Sequence, residues 1–529
     1  MRFLSLRDLD QTEGTVQLQK TSTDDNGKTN IVLVPAPSRT DPNDPLRWPR
    51  WKKHVAFTSV CAFTFLTNYA IGGLAPAFYI LSIEFSQTMT STSHLLLYPI
   101  LVLGLFNFFW VPLANYFGKR PVFVFASLLL CLCYVWGAVA TSFKSLLWSN
   151  IIAAFAGSST EALGAAIVND LYYLHERGSK MGIYMNAISG GNTLGPLICG
   201  FVVQSLGWRW HKWIAVILTA VNFVAVLLFV PETRYHRDAT TPGISNNISA
   251  STSEEAVDIE KAVSTGVTAI RRTSDEQIPQ VPKKTFAQDL KLWSGTPPTN
   301  LFKMFIRPFP MIAYPAVIYS FLCYSISLVI VVAVNILNSF VLQAPPYNWS
   351  PQINGLINIP GLLGNLFGAW AGGDLVDMWC AWRTKKNKGI FEPESRLYLL
   401  IIPFFLTSAG CVLFGYGVQN TMSWVALFFG YGMISVALTA TPTITMAYVS
   451  DCALPVNSDA LLLVNGLKNV VAFGFLYGVV PWVEEVGYVD CFGTMAGIFV
   501  AIVGIGAMLL ILYGARVRHA TAKWQVILD

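Results

Sequence analysis

Long apolar stretches separated by short polar loops make up most of the chain between residues 55 and 513. Each stretch is long enough to cross a bilayer, because about 20 apolar residues in a helix span roughly 30 Å of hydrocarbon. One large polar interruption, at roughly residues 234–307, follows the sixth stretch. The pattern therefore predicts an all-α integral membrane protein with six helices on each side of a central loop. The twelve predicted spans are 55–81, 94–114, 121–142, 146–169, 181–205, 211–231, 311–341, 351–373, 397–417, 421–447, 460–483 and 491–513.

The composition favours a membrane protein over a soluble one. Of the 529 residues, 53% are hydrophobic and only 12% are charged. The formal net charge of +5 comes from lysines and arginines that form no continuous basic face, so no nucleic-acid partner is expected. The nine cysteines are scattered without paired spacing, and neither a metal site nor a cofactor is predicted.

The loop cations predict the orientation in the membrane. The positive-inside rule places loops rich in Lys and Arg in the cytosol. The predicted outside loops hold only Lys144, Arg209 and Lys212. Both termini are therefore predicted to be cytosolic, and the first span is expected to direct insertion because no signal-peptide segment follows Met1. The cations of the predicted inside loops are Arg47, Arg50, Lys52, Lys53, Lys119, Arg120, Arg177, Lys180, Arg383, Lys385, Lys386, Lys388, Arg516 and Arg518.

Two polar regions without hydrophobic periodicity are predicted to be disordered. They are the first 40 residues and residues 238–280, which are rich in Ser, Thr and acids. The second region favours a flexible tether between two bundles. The predicted segments are a cytosolic N-terminus with an interfacial end at 1–54, an N-terminal six-helix bundle at 55–233, a cytosolic central loop at 234–310, a C-terminal six-helix bundle at 311–513 and a cytosolic tail at 514–529.

The short loop after the second span carries the most specific motif. It reads VPLANYFGKRP over residues 111–121, in which Gly118 permits a tight turn and Lys119 and Arg120 are expected to anchor the loop at the inner interface. This loop resembles the signature loop of the major facilitator superfamily. The resemblance implies two six-helix pseudo-repeat bundles and secondary transport. Asn115 and Tyr116 stand where the family usually has an acid and a cation, so the family's charge relay is not carried over in full.

A weaker repeat of this motif follows the eighth span. Gly373 and Asp377 precede a run of cations at residues 383–388. The repeat lies at the matching place in the second half, as expected if both halves share one fold.

The fifth span contains closely spaced small residues and a proline. Gly191 and Gly195 are four residues apart, which lets two helix backbones approach closely, and Pro196 permits a bend. The stretch resembles the helix-5 motif of drug–proton antiporters in the superfamily and implies export, although helix packing alone also explains it. The stretches at residues 41–53, 169–178 and 231–234 resemble those of fungal twelve-span drug–proton antiporters.

The fourth span contains the leading candidate site. Asn150 lies where many of these antiporters carry an arginine, so that part of their mechanism is not carried over. Glu161 lies inside the span, where a charge costs roughly 2.5–3.5 kcal/mol and usually faces a cavity or a partner. We expect Glu161 to lie away from cations and to bind a substrate or a proton. A structural glutamate is the alternative.

Three further spans and one loop supply weaker candidates. Lys468 in the eleventh span is expected to snorkel to the inner interface, about 13 Å away, and to be structural. Asn68 and Asn335 are expected to line the pathway, because spans 1 and 7 line it in the superfamily. Asn348 begins an Asn-Trp-Ser sequon in the loop between spans 7 and 8, but Pro351 follows directly and makes glycosylation a weak prediction.

These observations predict a secondary transporter rather than an enzyme. The favoured function is proton-coupled efflux of small organic molecules, such as drugs, toxins or secondary metabolites, by alternating access. Proton-coupled uptake of polyamines or other organic cations is the first alternative, and a transporter-like receptor is the second. The expected partners are a small-molecule substrate, protons and the lipid bilayer. A monomer in the plasma membrane is predicted, with the vacuolar membrane as the alternative location.

Overall fold

The computed structural model describes residues 16–17, 19–23, 29–31, 41–173, 176–234, 283–291, 301–345, 347–387, 390–452 and 457–521. Within these ranges long α-helices form almost the whole molecule. The helices up to the central loop are α1 (Arg50–Gly72), α2 (Phe78–Glu84), α3 (Met89–Phe117), α4 (Lys119–Ala138), α5 (Phe143–Leu171), α6 (Arg177–Leu206) and α7 (Trp208–Phe229). Two short helices follow, α8 (Phe286–Asp289) and α9 (Leu301–Ile306).

The second half repeats the pattern of long helices. Its helices are α10 (Pro315–Gln343), α11 (Pro351–Leu356), α12 (Asn358–Gly372), α13 (Asp374–Lys386), α14 (Ile401–Gln419), α15 (Trp424–Cys452), α16 (Asn457–Tyr477), α17 (Val479–Val486), α18 (Tyr488–Phe499) and α19 (Gly506–Thr521). Short 3₁₀ segments lie at Pro45–Arg47, Ala75–Ala77, Phe309–Ala313 and Pro393–Leu400, and a π-helical segment at Val500–Ile505 joins α18 to α19.

Ten helical segments of the described chain are long and apolar enough to cross a membrane by length and composition. The two predicted spans outside this set correspond to α6 and to α11 with α12. α6 is rich in Gly and other small or polar residues because it packs closely against helices of both halves, and the eighth span is divided at Ile357. The predicted all-α architecture of two six-helix halves is confirmed.

The two halves meet along a few specific helix pairs. α3 and α5 of the first half pack against α16, and α6 packs against α11 and α12. At the predicted outer end, Gln343 at the end of α10 donates from Nε2 to the Pro76 carbonyl at 2.9 Å, and Ser339 Oγ donates to the Ala75 carbonyl. Helices from the two halves therefore surround a shared interface.

Four short strands lie outside the helical bundles. β1 (Val16–Gln17) pairs antiparallel with β4 (Ile390–Phe391), and β2 (Gln19–Thr23) pairs antiparallel with β3 (Thr29–Ile31). The strands in the N-terminal segment have no alternating apolar pattern, so periodicity did not predict them. The rest of the first 40 residues and all of 238–280 lie outside the described residues, and disorder there stays a prediction.

Candidate functional site

Glu161 and Lys468 form a buried ion pair between the two halves. Glu161 lies on α5, and Lys468 lies near the middle of α16. Lys468 Nζ is 3.3 Å from Glu161 Oε2, and the two side chains are 1% and 3% exposed, respectively. Asn469, the next residue on α16, donates from Nδ2 to the same oxygen at 2.7 Å. One carboxylate therefore links the halves through two neighbouring side chains.

Two expectations about this pair are wrong. Glu161 was expected to lie away from cations, and Lys468 was expected to snorkel to the inner interface. Lys468 instead points into the interface between the halves, because a charge held in a dry interior is stabilised by an opposite charge at hydrogen-bond distance. The sequence did contain a signal for this pairing, because Glu161 in the first half and Lys468 in the second half are mid-span charges of opposite sign.

Two tyrosines complete the surroundings of the pair. Lys468 Nζ lies 4.1 Å from the ring centroid of Tyr324 on α10, a cation–π contact. Tyr184 on α6 donates from its hydroxyl to the Glu161 carbonyl at 2.6 Å and to the Thr160 carbonyl at 2.9 Å. A Cβ on Gly164 would lie 2.4 Å from the Tyr184 ring. Gly164, three residues from Glu161, therefore leaves room for the Tyr184 ring, whose hydroxyl binds the α5 backbone.

Glu161 and Lys468 can each exchange one partner for another, but the loss of a partner without replacement has a large free-energy cost. Removing one partner of a buried ion pair leaves an uncompensated charge, which costs about 3–5 kcal/mol. A proton or a cationic molecule at Glu161, or water at Lys468, is therefore needed when the two separate. No group of three or more His, Cys, Asp or Glu side chains within the described ranges is arranged to hold a metal ion.

Asn68 and Asn335 lie in other hydrogen-bond networks. Asn68 Nδ2 donates to the Thr64 carbonyl of its own helix at 2.9 Å, and Asn335 Oδ1 accepts from the Tyr431 hydroxyl at 3.1 Å. Among the described residues, neither amide has a hydrogen bond to Glu161. Both are buried, and their role in a pathway stays a prediction.

The signature loop is held by acids from other helices. Gly118 has φ of 108°, a backbone conformation that favours glycine, and it joins α3 directly to α4. Lys119 Nζ lies 2.5 Å from Asp170 Oδ2 at the end of α5. The backbone N–H groups of Lys119 and Arg120 donate to the Glu232 carboxylate at 3.1 and 3.2 Å. The first turn of α4 is thus capped by an acid, as expected at a helix N-terminus.

Arg120 binds the C-terminal end of α7 rather than the membrane interface. It is 2% exposed, and its guanidinium donates to the Val230 carbonyl at 2.5 Å and the Leu227 carbonyl at 2.7 Å. Arg234 in turn donates to the Asn115 carbonyl at 3.2 Å and the Tyr116 carbonyl at 2.8 Å. The expectation that Lys119 and Arg120 anchor at the interface is wrong. Both satisfy groups of the protein at helix ends, where backbone carbonyls lack helical partners.

The matching loop of the second half links the two halves. Asp377 on α13 accepts from the backbone N–H of Ser179, in the first turn of α6, at 3.0 Å through Oδ2. Its Oδ1 accepts from Arg396 at 2.8 Å, and Arg396 also donates to Asp451 at 2.7 Å. Burial raises the pKa of Asp377 above its usual value, and Arg396 opposes this shift. A Cβ on Gly178 would lie 2.2 Å from the Asp377 carboxylate, which explains the glycine.

Gly373 lies at the junction between α12 and α13. A Cβ there would lie 3.2 Å from the Gly178 carbonyl at the start of α6. Gly373 and Asp377 therefore both lie against α6. We call the contacts of Asp377 with Ser179 and Arg396 the Asp377 latch.

The small residues of α6 pack against α1. A Cβ on Gly191 would lie 2.5 Å from the Phe65 carbonyl, and a Cβ on Gly195 would lie 2.6 Å from the Tyr69 carbonyl. The Pro196 carbonyl lies 3.3 Å from the position of a Cβ on Gly355 in α11. These contacts explain the spacing as close helix packing, without reference to the direction of transport.

Lys212 does not lie in an outer loop as expected. It belongs to α7 and is fully buried, and its Nζ donates to Asn150 Oδ1 at 2.7 Å and to the Ala70 carbonyl at 3.1 Å. The predicted span 211–231 already included Lys212, and α7 begins earlier still, at Trp208, so this lysine lies in the second turn of the helix and not in the loop. The asparagine at position 150 therefore binds a lysine from another helix.

Asn348 is exposed in the loop after α10, with φ of +50°. The hydroxyl of Ser350, the third residue of the sequon, accepts from the Ile353 N–H at 3.4 Å at the start of α11. Glycosylation at Asn348 stays a prediction.

Comparisons with known proteins agree with this fold. The family model described as Major Facilitator Superfamily matches residues 58–454. "Uncharacterized MFS-type transporter C1271.10c" of Schizosaccharomyces pombe is 27% identical over 93% of this chain and 89% of that protein. "Efflux pump radE" of Floropilus chiversii is 25% identical over 92% of this chain and 85% of that protein. The crystal structure of the human organic anion transporter MFSD10 (TETRAN) covers 87% of this chain and 100% of that one, with a TM-score of 0.53 and 16% identity.

Proposed function

The chain belongs to the Major Facilitator Superfamily and is a multi-pass membrane transporter rather than an enzyme, and we propose that it exports small organic molecules in exchange for protons. Drugs, toxins and secondary metabolites are the proposed substrate class. The transporter works as a monomer in the plasma membrane, with both termini in the cytosol. The two halves rock against each other around a site near the middle of the membrane.

The observation that carries this proposal is the ion pair of Glu161 with Lys468. Because the pair joins α5 to α16, it has to separate when the halves move apart. A proton on Glu161 removes its charge and releases Lys468, which then needs water and favours an open interface. A cationic substrate competes with the proton for the same carboxylate. This competition couples the two flows without ATP.

The contacts at the two ends of the molecule support alternating access. The Asp377 latch joins the halves at the predicted cytosolic end. The contacts of Ser339 and Gln343 with residues 75 and 76 join them at the predicted outer end. Opening to one side requires one set of contacts to break while the other holds, which is the rocking motion of the proposal.

Uptake of polyamines or other organic cations is the second candidate. It is favoured by the mid-membrane carboxylate of Glu161, which suits a cation entering from either side. Export is favoured by the similarity to the relative radE, which is named an efflux pump. The glycine motif of α6 no longer favours export, because packing against α1 accounts for it. Substrate direction relative to protons therefore has to be measured.

Reconstitution in proteoliposomes with an imposed proton gradient tests both candidates. The probes are hydrophobic cations, polyamines and neutral metabolites, and the readout is labelled substrate moved against its own gradient. Export predicts that substrate moves opposite to protons, whereas uptake predicts that it moves with them. We expect Glu161→Gln to lower this flux at least about ten-fold, the effect of losing roughly 1.4 kcal/mol.

Glu84→Gln is the matched control. Glu84 is a half-exposed carboxylate at the predicted outer end, where it lies 3.2 Å from Arg209. We expect this variant to transport like the wild type. Unchanged coupled flux in Glu161→Gln would make Glu161 a structural residue and move the coupling site elsewhere.

A further inference from the structure

A second buried polar cluster lies entirely within the first half, apart from the Glu161 pair. Lys212 and His211 are consecutive residues of α7, and both are fully buried. Lys212 Nζ donates to Asn150 Oδ1 of α5 at 2.7 Å and to the Ala70 carbonyl of α1 at 3.1 Å. The function proposed above does not use this cluster.

The surroundings of Lys212 contain no compensating charge. None of the ion pairs among the described residues includes Lys212. The ionisable groups that face it are His211 on its own helix, Cys133 and Tyr134 of α4 and Cys199 of α6. Thiols and phenols are neutral at ordinary pH. The acceptors around Nζ are therefore dipoles, not charges.

The hydrogen bonds of Lys212 fit a neutral amine better than an ammonium. Nζ has two acceptors in the described structure, which match the two N–H groups of an amine. An ammonium carries a third N–H donor, and burying a charge without an opposite charge is far more costly than burying a neutral polar group. The two described hydrogen bonds of Lys212 are therefore those expected of an amine.

His211 is a second titratable group of the cluster, and one of its ring nitrogens has no hydrogen-bond partner. Its Nδ1 lies 3.4 Å from the Tyr69 hydroxyl, while its Nε2 is buried and has no hydrogen-bond partner. Nε2 would lie 2.7 Å from a Cβ on Gly73, just past the end of α1. A buried polar atom without a partner carries a free-energy cost, which a hydrogen bond to a water molecule that reaches the site would relieve.

The cluster lies near the predicted outer end and next to the packing of α1 against α6. Lys212 lies about 6 Å along the helix axis from the start of α7, close to the predicted outer end. The Tyr69 carbonyl, on the α1 turn that also carries Ala70, lies 2.6 Å from the position of a Cβ on Gly195. A shift of α1 against α6 therefore moves the Ala70 carbonyl that accepts from Lys212. The loop after α1 carries the Ala75 and Pro76 carbonyls that bind the second half, so opening of the outer end acts on the same helix.

We propose that Lys212, positioned by Asn150, is a second proton-exchange site that takes up a proton when the outer end opens and releases it when that end closes. The step forms and breaks one N–H bond at Nζ, and water supplies and receives the proton. This inference deepens the proposed function, since it rests on proton-coupled transport. It adds a group in the first half that does not touch the Glu161 pair.

Unfolding of the purified protein in detergent tests the site without any substrate. A lysine that is an amine when folded and an ammonium when unfolded makes the unfolding equilibrium constant fall about ten-fold per pH unit over the pH range in which those two protonation states hold. The sign follows because the unfolded state binds one more proton, so stability rises with pH. We expect this dependence in the wild type and its loss in Lys212→Met, while Lys144→Met, at an exposed lysine of the same end, behaves like the wild type.

Asn150→Asp provides a second variant if Lys212→Met does not fold. A carboxylate at this position, 2.7 Å from Nζ, keeps the lysine charged, and the pH dependence of stability is expected to disappear. Identical pH profiles for the wild type and both variants would overturn the proposal. This result is independent of transport, so it separates failure of the site from failure of the proposed function.

The transport arm measures protons moved per substrate in proteoliposomes. In Lys212→Met we expect fewer protons per substrate, with exchange of substrate across the membrane retained. Wild-type proton stoichiometry in Lys212→Met would overturn the assignment, whereas absence of proton coupling in the wild type would overturn the proposed function.

Discussion

Three buried basic side chains of this protein bind different kinds of acceptor. Lys468 binds a carboxylate, Arg120 binds backbone carbonyls at a helix end, and Lys212 binds an amide oxygen and a carbonyl. The acceptor decides what happens when the side chain is changed. A carboxylate left without its cation is an uncompensated charge, whereas a carbonyl left without a donor is only an unsatisfied dipole.

The protein should be more stable when Glu161 and Lys468 are replaced together than when Lys468 is replaced alone. Lys468→Met leaves Glu161 buried without its cation, and we expect a loss of about 3–5 kcal/mol in the free energy of unfolding. The double variant Glu161→Gln with Lys468→Met should recover most of this loss. Denaturation in detergent measures the effect as a double-mutant cycle.

The exposed pair of Arg209 and Glu84 is the control for that cycle. Both side chains are more than a third exposed, and such pairs contribute little because solvent screens them. A coupling energy between Glu161 and Lys468 no larger than that of the control would contradict a tight ion pair.

The helices pack through glycines at the points where backbones approach most closely. α6 has such contacts on both sides, with α1 through Gly191 and Gly195 and with α11 through Gly200. A helix in this position needs small residues more than apolar ones, and its low apolarity follows from its packing. α6 is thus one of the helices that connect the first half to the second, together with α3 and α5.

Gly195→Ala should destabilise the protein because its Cβ would lie 2.6 Å from the Tyr69 carbonyl. Relief requires α1 and α6 to separate, and such overpacking costs about 1–3 kcal/mol. The measurement is the thermal unfolding midpoint in detergent. Gly497→Ala on α18 is the control, since its Cβ would meet no atom within 4 Å, and it should be neutral or slightly stabilising. Equal midpoints for the two variants would show that α1 and α6 are not closely packed at Gly195.

At the scale of the whole molecule, small sets of polar contacts join the two halves in the described structure. The Asp377 latch lies at the predicted cytosolic end, and the contacts of Ser339 and Gln343 lie at the predicted outer end. The Glu161 pair and the hydrogen bonds of Asn365 with α6 lie between these ends. Each set is small, so breaking one set does not require unfolding of a helix.

Asp377→Asn should open the predicted cytosolic end. An amide in place of the carboxylate removes the charge that binds Arg396 and one of the two acceptor oxygens, so Arg396 and the Ser179 N–H can no longer both be bound. The measurement is thiol labelling of a cysteine introduced at Ser179, which should be several-fold faster than in the wild type. Asp374→Asn, at an exposed acid of the same helix, is the control.

Acid should open the same end in the wild type. Burial raises the pKa of Asp377, so the carboxylate takes up a proton at a less acidic pH than a solvated aspartate. Labelling of the Ser179 cysteine should therefore speed up as the pH falls below neutral and should no longer depend on this group in Asp377→Asn. The same acid dependence in both proteins would assign it to a group other than Asp377.

Local patterns in the chain predicted part of the site correctly. The turn at Gly118, the repeated motif at Gly373 and Asp377 and the buried carboxylate of Glu161 follow from residue type and spacing. The partners did not follow, because Lys468 is 307 positions from Glu161 along the chain and Lys212 is 62 from Asn150. Spacing along a helix says which face a side chain is on, not which distant helix lies opposite.

The sequence by itself determined the all-helical membrane class of the fold and the approximate bounds of its long apolar helices. It could do so because every backbone polar group in lipid must be satisfied within its own helix, so each span can be recognised from local hydropathy. Only the tertiary structure decided which buried polar groups meet: Lys468 with Glu161, Arg120 with the end of α7, and Lys212 with Asn150. The physical reason is that the stability of a buried charge depends on the atoms within a few ångströms of it, and those atoms come from other helices.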